Sequence, residues 1–155
     1  MRPLKVLIVD DNADYRMVTS YLLENYGHLP ATAASGSEAI REAERDFPDV
    51  VLLDIRLPLM DGYVFARLLI DTFKKKPLLI VVTTYGQESD ILRSWQEGFD
   101  YHFLKPADPV VLQKVLNEYA LKVAATEQGR WEGAAQDGAA VRPWSDLAMS
   151  VDGTP

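Results

Sequence analysis

Three aspartates, a threonine and a lysine each follow a short apolar run in this chain, and their combined chemistry suits phosphoryl transfer. Asp10 and Asp11 follow Leu4 to Val9, and Asp54 follows Val50 to Leu53. Thr83 follows Leu78 to Val82, and Lys105 follows Tyr101 to Leu104. Taken alone, Asp10-Asp11 reads equally well as a helix cap with a favourable charge and as a pair of metal ligands. Asp54 shifts that balance, because an ionisable group ending an apolar run is costly unless it has a partner or a task. Three carboxylates brought together repel one another, and a divalent cation relieves the repulsion. All-oxygen ligands without histidine or cysteine favour Mg²⁺, or Mn²⁺, over zinc. Lys105 reads as an ion-pair partner of one acid or as a cation for phosphoryl oxygens. Thr83 offers a hydroxyl, although threonine is common in strands for its shape alone. A carboxylate attacking in line, with a metal ion and an ammonium neutralising the phosphoryl oxygens, is what this set could do.

The elements that must hold these residues are written in the apolar pattern. Continuous apolar runs alternating with helical periods predict a doubly wound α/β fold, a parallel sheet covered on both faces. In such sheets ligands bind outside the carboxyl ends of the strands, where these residues all fall. Tyr15, Val18, Leu22 and Tyr26 recur at helical spacing, with Gly27 placed to end the helix. Pro30 to Ala34 reads as a weak second strand, and Ser35-Gly36-Ser37-Glu38 as a capping box. Ile40, Ala43 and Phe47 stripe the second helix, and Phe65, Leu68, Leu69 and Phe73 the third. Ile91, Leu92 and Trp95 stripe the fourth, which Gly98 closes. Asp108-Pro109 opens a last helix that runs to about Val123.

Composition narrows the classes further. The chain of 155 residues has room for one domain of ordinary size, and 48% hydrophobic with 25% charged residues is globular composition. A net charge of -7 argues against a nucleic-acid surface and against an anionic membrane. With no cysteine there is no disulfide framework and no thiol chemistry, which fits the cytoplasm. No segment reads as a signal peptide or a membrane span. Residues 1–124 are expected to form the domain. Residues 125–155, Gly-rich and aperiodic but carrying Trp131 and Trp144, are expected to be a mostly disordered tail.

Four motifs in order carry a resemblance. They are Val6-Leu7-Ile8-Val9-Asp10-Asp11-Asn12, the stretch Asp49 to Gly62 through Asp54, Val82-Thr83-Thr84-Tyr85-Gly86, and Phe103-Leu104-Lys105-Pro106. From residue 4 to about 123 the chain resembles the receiver domain of bacterial two-component response regulators. The resemblance implies a flavodoxin-like (βα)5 sandwich with strand order 2-1-3-4-5. It implies that Asp54 accepts a phosphoryl group from a histidine kinase or phosphotransfer protein, and that Asp10, Asp11, Asp54 and the backbone carbonyl of Arg56 hold Mg²⁺. It further implies that Thr83 and Lys105 contact the phosphoryl group and that Lys105-Pro106 is a cis peptide. No output domain is expected, only conformational switching read by an unknown downstream protein, and no enzymatic activity beyond the domain's own phosphorylation and dephosphorylation. Gly98 to Pro106 is similar to receivers found with hybrid histidine kinases, with His102 where a switch aromatic often sits. His102 is either mobile or a packed polar residue. The resemblance also implies that Arg56 and Tyr85, each two residues past a site residue, stand where the lifetime of the phosphoryl group is tuned. Both are bulky, and they either slow dephosphorylation or face solvent as loop residues. Two other readings are a scaffold receiver that is never phosphorylated and an aspartate-nucleophile phosphohydrolase. The second would need a general acid where Arg56 stands.

Overall fold

The computed structural model describes residues 2–84, 86 and 88–127. Strands β1 (Lys5–Val9), β3 (Val50–Leu53), β6 (Leu78–Thr83) and β7 (Tyr101–Leu104) are the four apolar runs, and β2 (Leu29–Ala33) is the weaker one. They form a parallel sheet in the order β2-β1-β3-β6-β7. Two short strands, β4 (Arg56–Leu57) and β5 (Met60–Asp61), pair only with each other in an antiparallel ribbon that the apolar pattern does not reveal. Counted within the main sheet, β6 and β7 are the fourth and fifth strands, so the order is the expected 2-1-3-4-5.

Successive side chains of a strand point to opposite faces, so each strand feeds two cores. Val6, Ile8, Leu52, Ile80 and Phe103 pack with Leu23 of α1 (Ala13–Asn25) and with Val115 and Leu116 of α5 (Pro109–Glu127). Leu7, Val9, Val51, Leu53 and Val81 pack on the other face with Ala39 and Ala43 of α2 (Gly36–Arg45) and Phe65 and Leu69 of α3 (Gly62–Phe73). Helix α4 (Glu88–Gln96) lies on that second side, its Ile91 packed against the same cluster.

The caps follow the local chemistry. Glu38 donates its N–H to Ser35 Oγ at 3.3 Å, and its carboxylate returns to the Ala34 N–H at 2.8 Å, so the box closes one residue further out than the motif implies. Asp108 Oδ1 accepts from the Val110 N–H at 2.9 Å at the start of α5. Gly27 and Gly98 follow α1 and α4 at φ 86 and 89, where side chains are disfavoured.

Helix faces and ends differ in places from the expected ones. The second strand covers Leu29–Ala33 rather than Pro30 to Ala34. The inner face of α1 carries Thr19 and Leu23 with Tyr15 packed beside them, while Val18 is 62% exposed. On α3 Leu68 turns outward, and on α4 Leu92 and Trp95 do the same while Ser94 is fully buried. These helices have apolar residues on more than one side, and only the sheet beneath selects the face. Helix α5 continues to Glu127, past Val123, so the expected domain boundary at 124 falls inside it. Its end is tied back by Arg2, which donates to both Asp49 and Glu127 at 3.0 Å. The rest of the expected tail, with Trp131 and Trp144, lies outside the described residues. Among the described residues no helix is long and apolar enough to cross a membrane.

Candidate functional site

The strand register brings the acids together. Val9 pairs with Leu53, and the ladder continues one step further as the Asp54 N–H donates to Val9 O at 3.0 Å. The Asp10 N–H likewise donates to Ala33 O at 3.1 Å, so the backbones of both acids are held at the carboxyl edge of the sheet. Asp10 is 1% exposed, and a carboxylate there needs partners. Its Oδ1 accepts from the Asn12 N–H at 2.9 Å, and its Oδ2 from Lys105 Nζ at 2.6 Å.

Lys105 arrives from the neighbouring strand. Its N–H donates to Thr83 O at 2.8 Å, which extends the β6–β7 ladder past Leu104, and its bond to Pro106 is cis. The ammonium reaches Asp54 Oδ2 at 3.2 Å as well as Asp10, so one cation joins two acids. Burial alone would lower the Lys105 pKa, but hydrogen bonding to Asp10 and the charges of Asp54 and Asp10 outweigh it and raise it. The lysine is therefore charged at neutral pH. Asp54 Oδ1 accepts from the Arg56 N–H at 3.1 Å, so backbone and lysine fix the two carboxylate oxygens separately. Thr83 closes β6 and is fully buried.

Asp10, Asp11 and Asp54 each offer an oxygen within 4.8 Å of the others, which makes the cluster one that could hold a metal ion. A donor set of carboxylates alone suits a hard cation such as Mg²⁺, and Asp11, exposed beside the buried Asp10, leaves an open approach. The five residues picked out in the sequence thus occupy one edge of the sheet. Tyr85 lies outside the described residues. Arg56 is exposed on β4, its backbone N–H turned to Asp54.

Several contributors have no role at the site that the sequence alone assigns. Gly62 starts α3 against the loop after Asp54, where a Cβ would lie 2.8 Å from Ile55 Cα and 2.9 Å from Asp54 O. Its N–H donates to Ile55 O at 2.7 Å, so only glycine lets the helix seat that loop. Arg16 donates to Asp10 O at 2.7 Å, and Asn12 caps α1 by accepting from the Tyr15 N–H at 3.0 Å. The cap was legible as a side-chain type before a helical stripe; the arginine contact was not. The Tyr15 ring lies under the Lys105 ammonium, 4.4 Å from Nζ to the ring centroid. Burial pushes its phenol up to about 12, against hydrogen bonding to Thr19 and the Lys105 charge, so it is neutral at neutral pH.

His102 is a packed polar residue. It is 1% exposed on the α4 side of β7, and Tyr101 points the opposite way, stacked with Phe103 at 6.3 Å. His102 Nδ1 meets Ser94 Oγ at 2.9 Å; that oxygen also meets Tyr63 Oη at 2.9 Å and donates to Asp90 O at 3.1 Å. A hydroxyl has one proton, so all three contacts are satisfied only when Tyr63 and a protonated Nδ1 donate to Ser94 and Ser94 donates to Asp90.

A sheet of this order with acids and a lysine at its switch point matches a known family. The family model for the response regulator receiver domain matches residues 6–117, and the chain belongs to that family. It is 30% identical over 115 residues to sporulation initiation phosphotransferase F of Bacillus subtilis, covering 74% of this chain and 92% of that protein. It is also 36% identical over 110 residues to the probable transcriptional regulator ycf27 of Guillardia theta, covering 70% of this chain but 42% of that longer protein. Among solved structures, chemotaxis response regulator CheY4 of Vibrio cholerae superposes with a TM-score of 0.67 at 29% identity, covering 76% of this chain and 98% of that one.

Proposed function

We propose that this receiver domain takes a phosphoryl group onto Asp54 from a phosphohistidine of a histidine kinase or phosphotransfer protein. The observation that carries this reading is the placement of Asp54 between a charged lysine and two further acids at the carboxyl edge of the sheet. A carboxylate oxygen of Asp54 forms the new P–O bond as the donor's P–N bond breaks, and the electron pair stays with an imidazole that leaves neutral, protonated on its other nitrogen. Lys105 meets negative charge on the phosphoryl oxygens, and Thr83 supplies a hydroxyl to the same group. Asp10, Asp11, Asp54 and the Arg56 carbonyl would hold Mg²⁺, which when bound neutralises charge on the transferring group. The Arg56 N–H keeps the Asp54 carboxylate oriented meanwhile.

The acyl phosphate replaces a carboxylate that now binds Lys105, so the contacts of Lys105 and Thr83 change with the state of Asp54. That difference biases two conformations of the domain, and a separate cytoplasmic protein reads the result. The domain acts as a signalling module, with only its own phosphorylation and dephosphorylation as chemistry. Incubation with acetyl phosphate and Mg²⁺ tests this directly: intact mass is expected to rise by one phosphoryl group in wild type and not in Asp54→Asn. Labelling that persists in Asp54→Asn, or no labelling of wild type, refutes the assignment.

A further inference from the structure

Lys105 has acids on one side and an aromatic ring on the other. We propose that Tyr15 is a positioning residue of the site, its ring backing the Lys105 ammonium and holding it against Asp10 and Asp54. The inference rests on the phosphoacceptor reading of Asp54 and adds to it a residue on a different element, α1.

Three observations place the ring deliberately rather than by chance packing. The ammonium lies 4.4 Å from the Tyr15 centroid, within the range where a cation is attracted to a ring face. The same nitrogen is 2.6 Å from Asp10 Oδ2 and 3.2 Å from Asp54 Oδ2, so ring and carboxylates bracket it. The backbone beneath the ring is pinned to the loop that carries the acids. Asn12 Oδ1 accepts from the Tyr15 N–H at 3.0 Å, and the next residue, Arg16, donates to Asp10 O at 2.7 Å. The start of α1 therefore moves with Asp10, and the ring moves with it.

A lysine side chain has four rotatable bonds, and holding its head in one place costs rotamer entropy. Hydrogen bonds to two acids supply part of the restraint. When Asp54 carries a phosphoryl group its charge and shape change, whereas the ring and Asp10 are contacts of Lys105 that keep their chemistry. Tyr15 keeps the ammonium at the site through the cycle, and a ring without a hydroxyl would do the same.

Two measurements test this. In ¹H–¹³C spectra of wild type, the ε-methylene of Lys105, assigned with Lys105→Ala, is expected upfield from the ring current of Tyr15. The shift should survive in Tyr15→Phe and vanish in Tyr15→Leu. Phosphorylation by acetyl phosphate with Mg²⁺ should keep the wild-type rate within about twofold in Tyr15→Phe and slow about fivefold in Tyr15→Leu, the size of a partly desolvated cation–ring contact. Tyr15→Met serves in place of the leucine variant should that one not fold. No upfield shift in wild type, or equal rates in the Phe variant and the aliphatic variant, overturns the proposal. If wild type takes up no phosphoryl group, the phosphoacceptor reading fails, and the ring-current shift alone then decides whether Tyr15 holds Lys105.

Discussion

Removing the Ser94 hydroxyl should cost this domain far more than its size suggests. Ser94 is fully buried on the inner face of α4, and its single oxygen joins β7, α4 and α3 through His102, Asp90 and Tyr63. Ser94→Ala removes the oxygen that His102 Nδ1 meets at 2.9 Å, and losing one partner of a buried hydrogen bond costs about 1–3 kcal/mol. Tyr63 loses its 2.9 Å contact but retains Asp90 O at 3.5 Å, so its penalty is partial. Alanine recovers roughly 0.5 kcal/mol of helix propensity. The balance is a loss of about 2 kcal/mol, or about 6–10 °C in melting temperature for a domain of this length. Tyr63→Phe, by contrast, removes one donor and leaves Ser94 with His102 and Asp90, so it should cost less than about 1 kcal/mol. In the double variant Tyr63 no longer has a hydroxyl to strand, and the combined loss should fall short of the sum. Urea unfolding of the four proteins measures this. A Ser94→Ala within about 0.5 kcal/mol of wild type, or strict additivity, refutes the network as assigned.

Three further outcomes follow from the site and the sheet. Asp11→Ala should abolish any Mg²⁺-dependent change in intrinsic fluorescence, and without Mg²⁺ it should be at least as stable as wild type, since Lys105 already pairs with Asp10 and Asp54 but not with Asp11; an unaltered Mg²⁺ titration would make Asp11 a cap and not a ligand. His28 accepts the Leu4 N–H at Nδ1 at 3.2 Å, and burial holds its pKa below the ordinary 6.5. The unfolded chain therefore binds a proton first, and stability should fall as pH drops below 6.5, with a flatter profile in His28→Gln; equal profiles would refute it. Phosphorylated wild type should last minutes or longer, and Arg56→Asn combined with Tyr85→Glu should shorten it; decay of wild type within seconds, followed by phosphate release, would show that neither bulky side chain obstructs the attacking water.

Much of the fold was legible because burial on two sides writes itself into composition. β3 and β6 are covered by helices on both faces, so they read as unbroken apolar runs whose ends announce Asp54 and Thr83. The capping box at Ser35 and the Asp108-Pro109 start of α5 were legible for a similarly local reason, since a cap is satisfied within its own turn. What stayed hidden depends on distant partners. Whether Val18 or Thr19 faces inward on α1, and whether Trp95 or Ser94 does on α4, is decided by the sheet, because each helix offers side chains of either kind on neighbouring faces. His102 reads as either mobile or packed until Ser94 is seen beside it, eight residues away in sequence and 2.9 Å away in space. Tyr15 reads as one more residue of an apolar stripe. Only parallel pairing of β1, β3, β6 and β7 brings Lys105 across 95 residues to Asp10 and sets its ammonium on that ring. Residue type and spacing determined which groups can do the chemistry, and the register of the strands determined which of them touch.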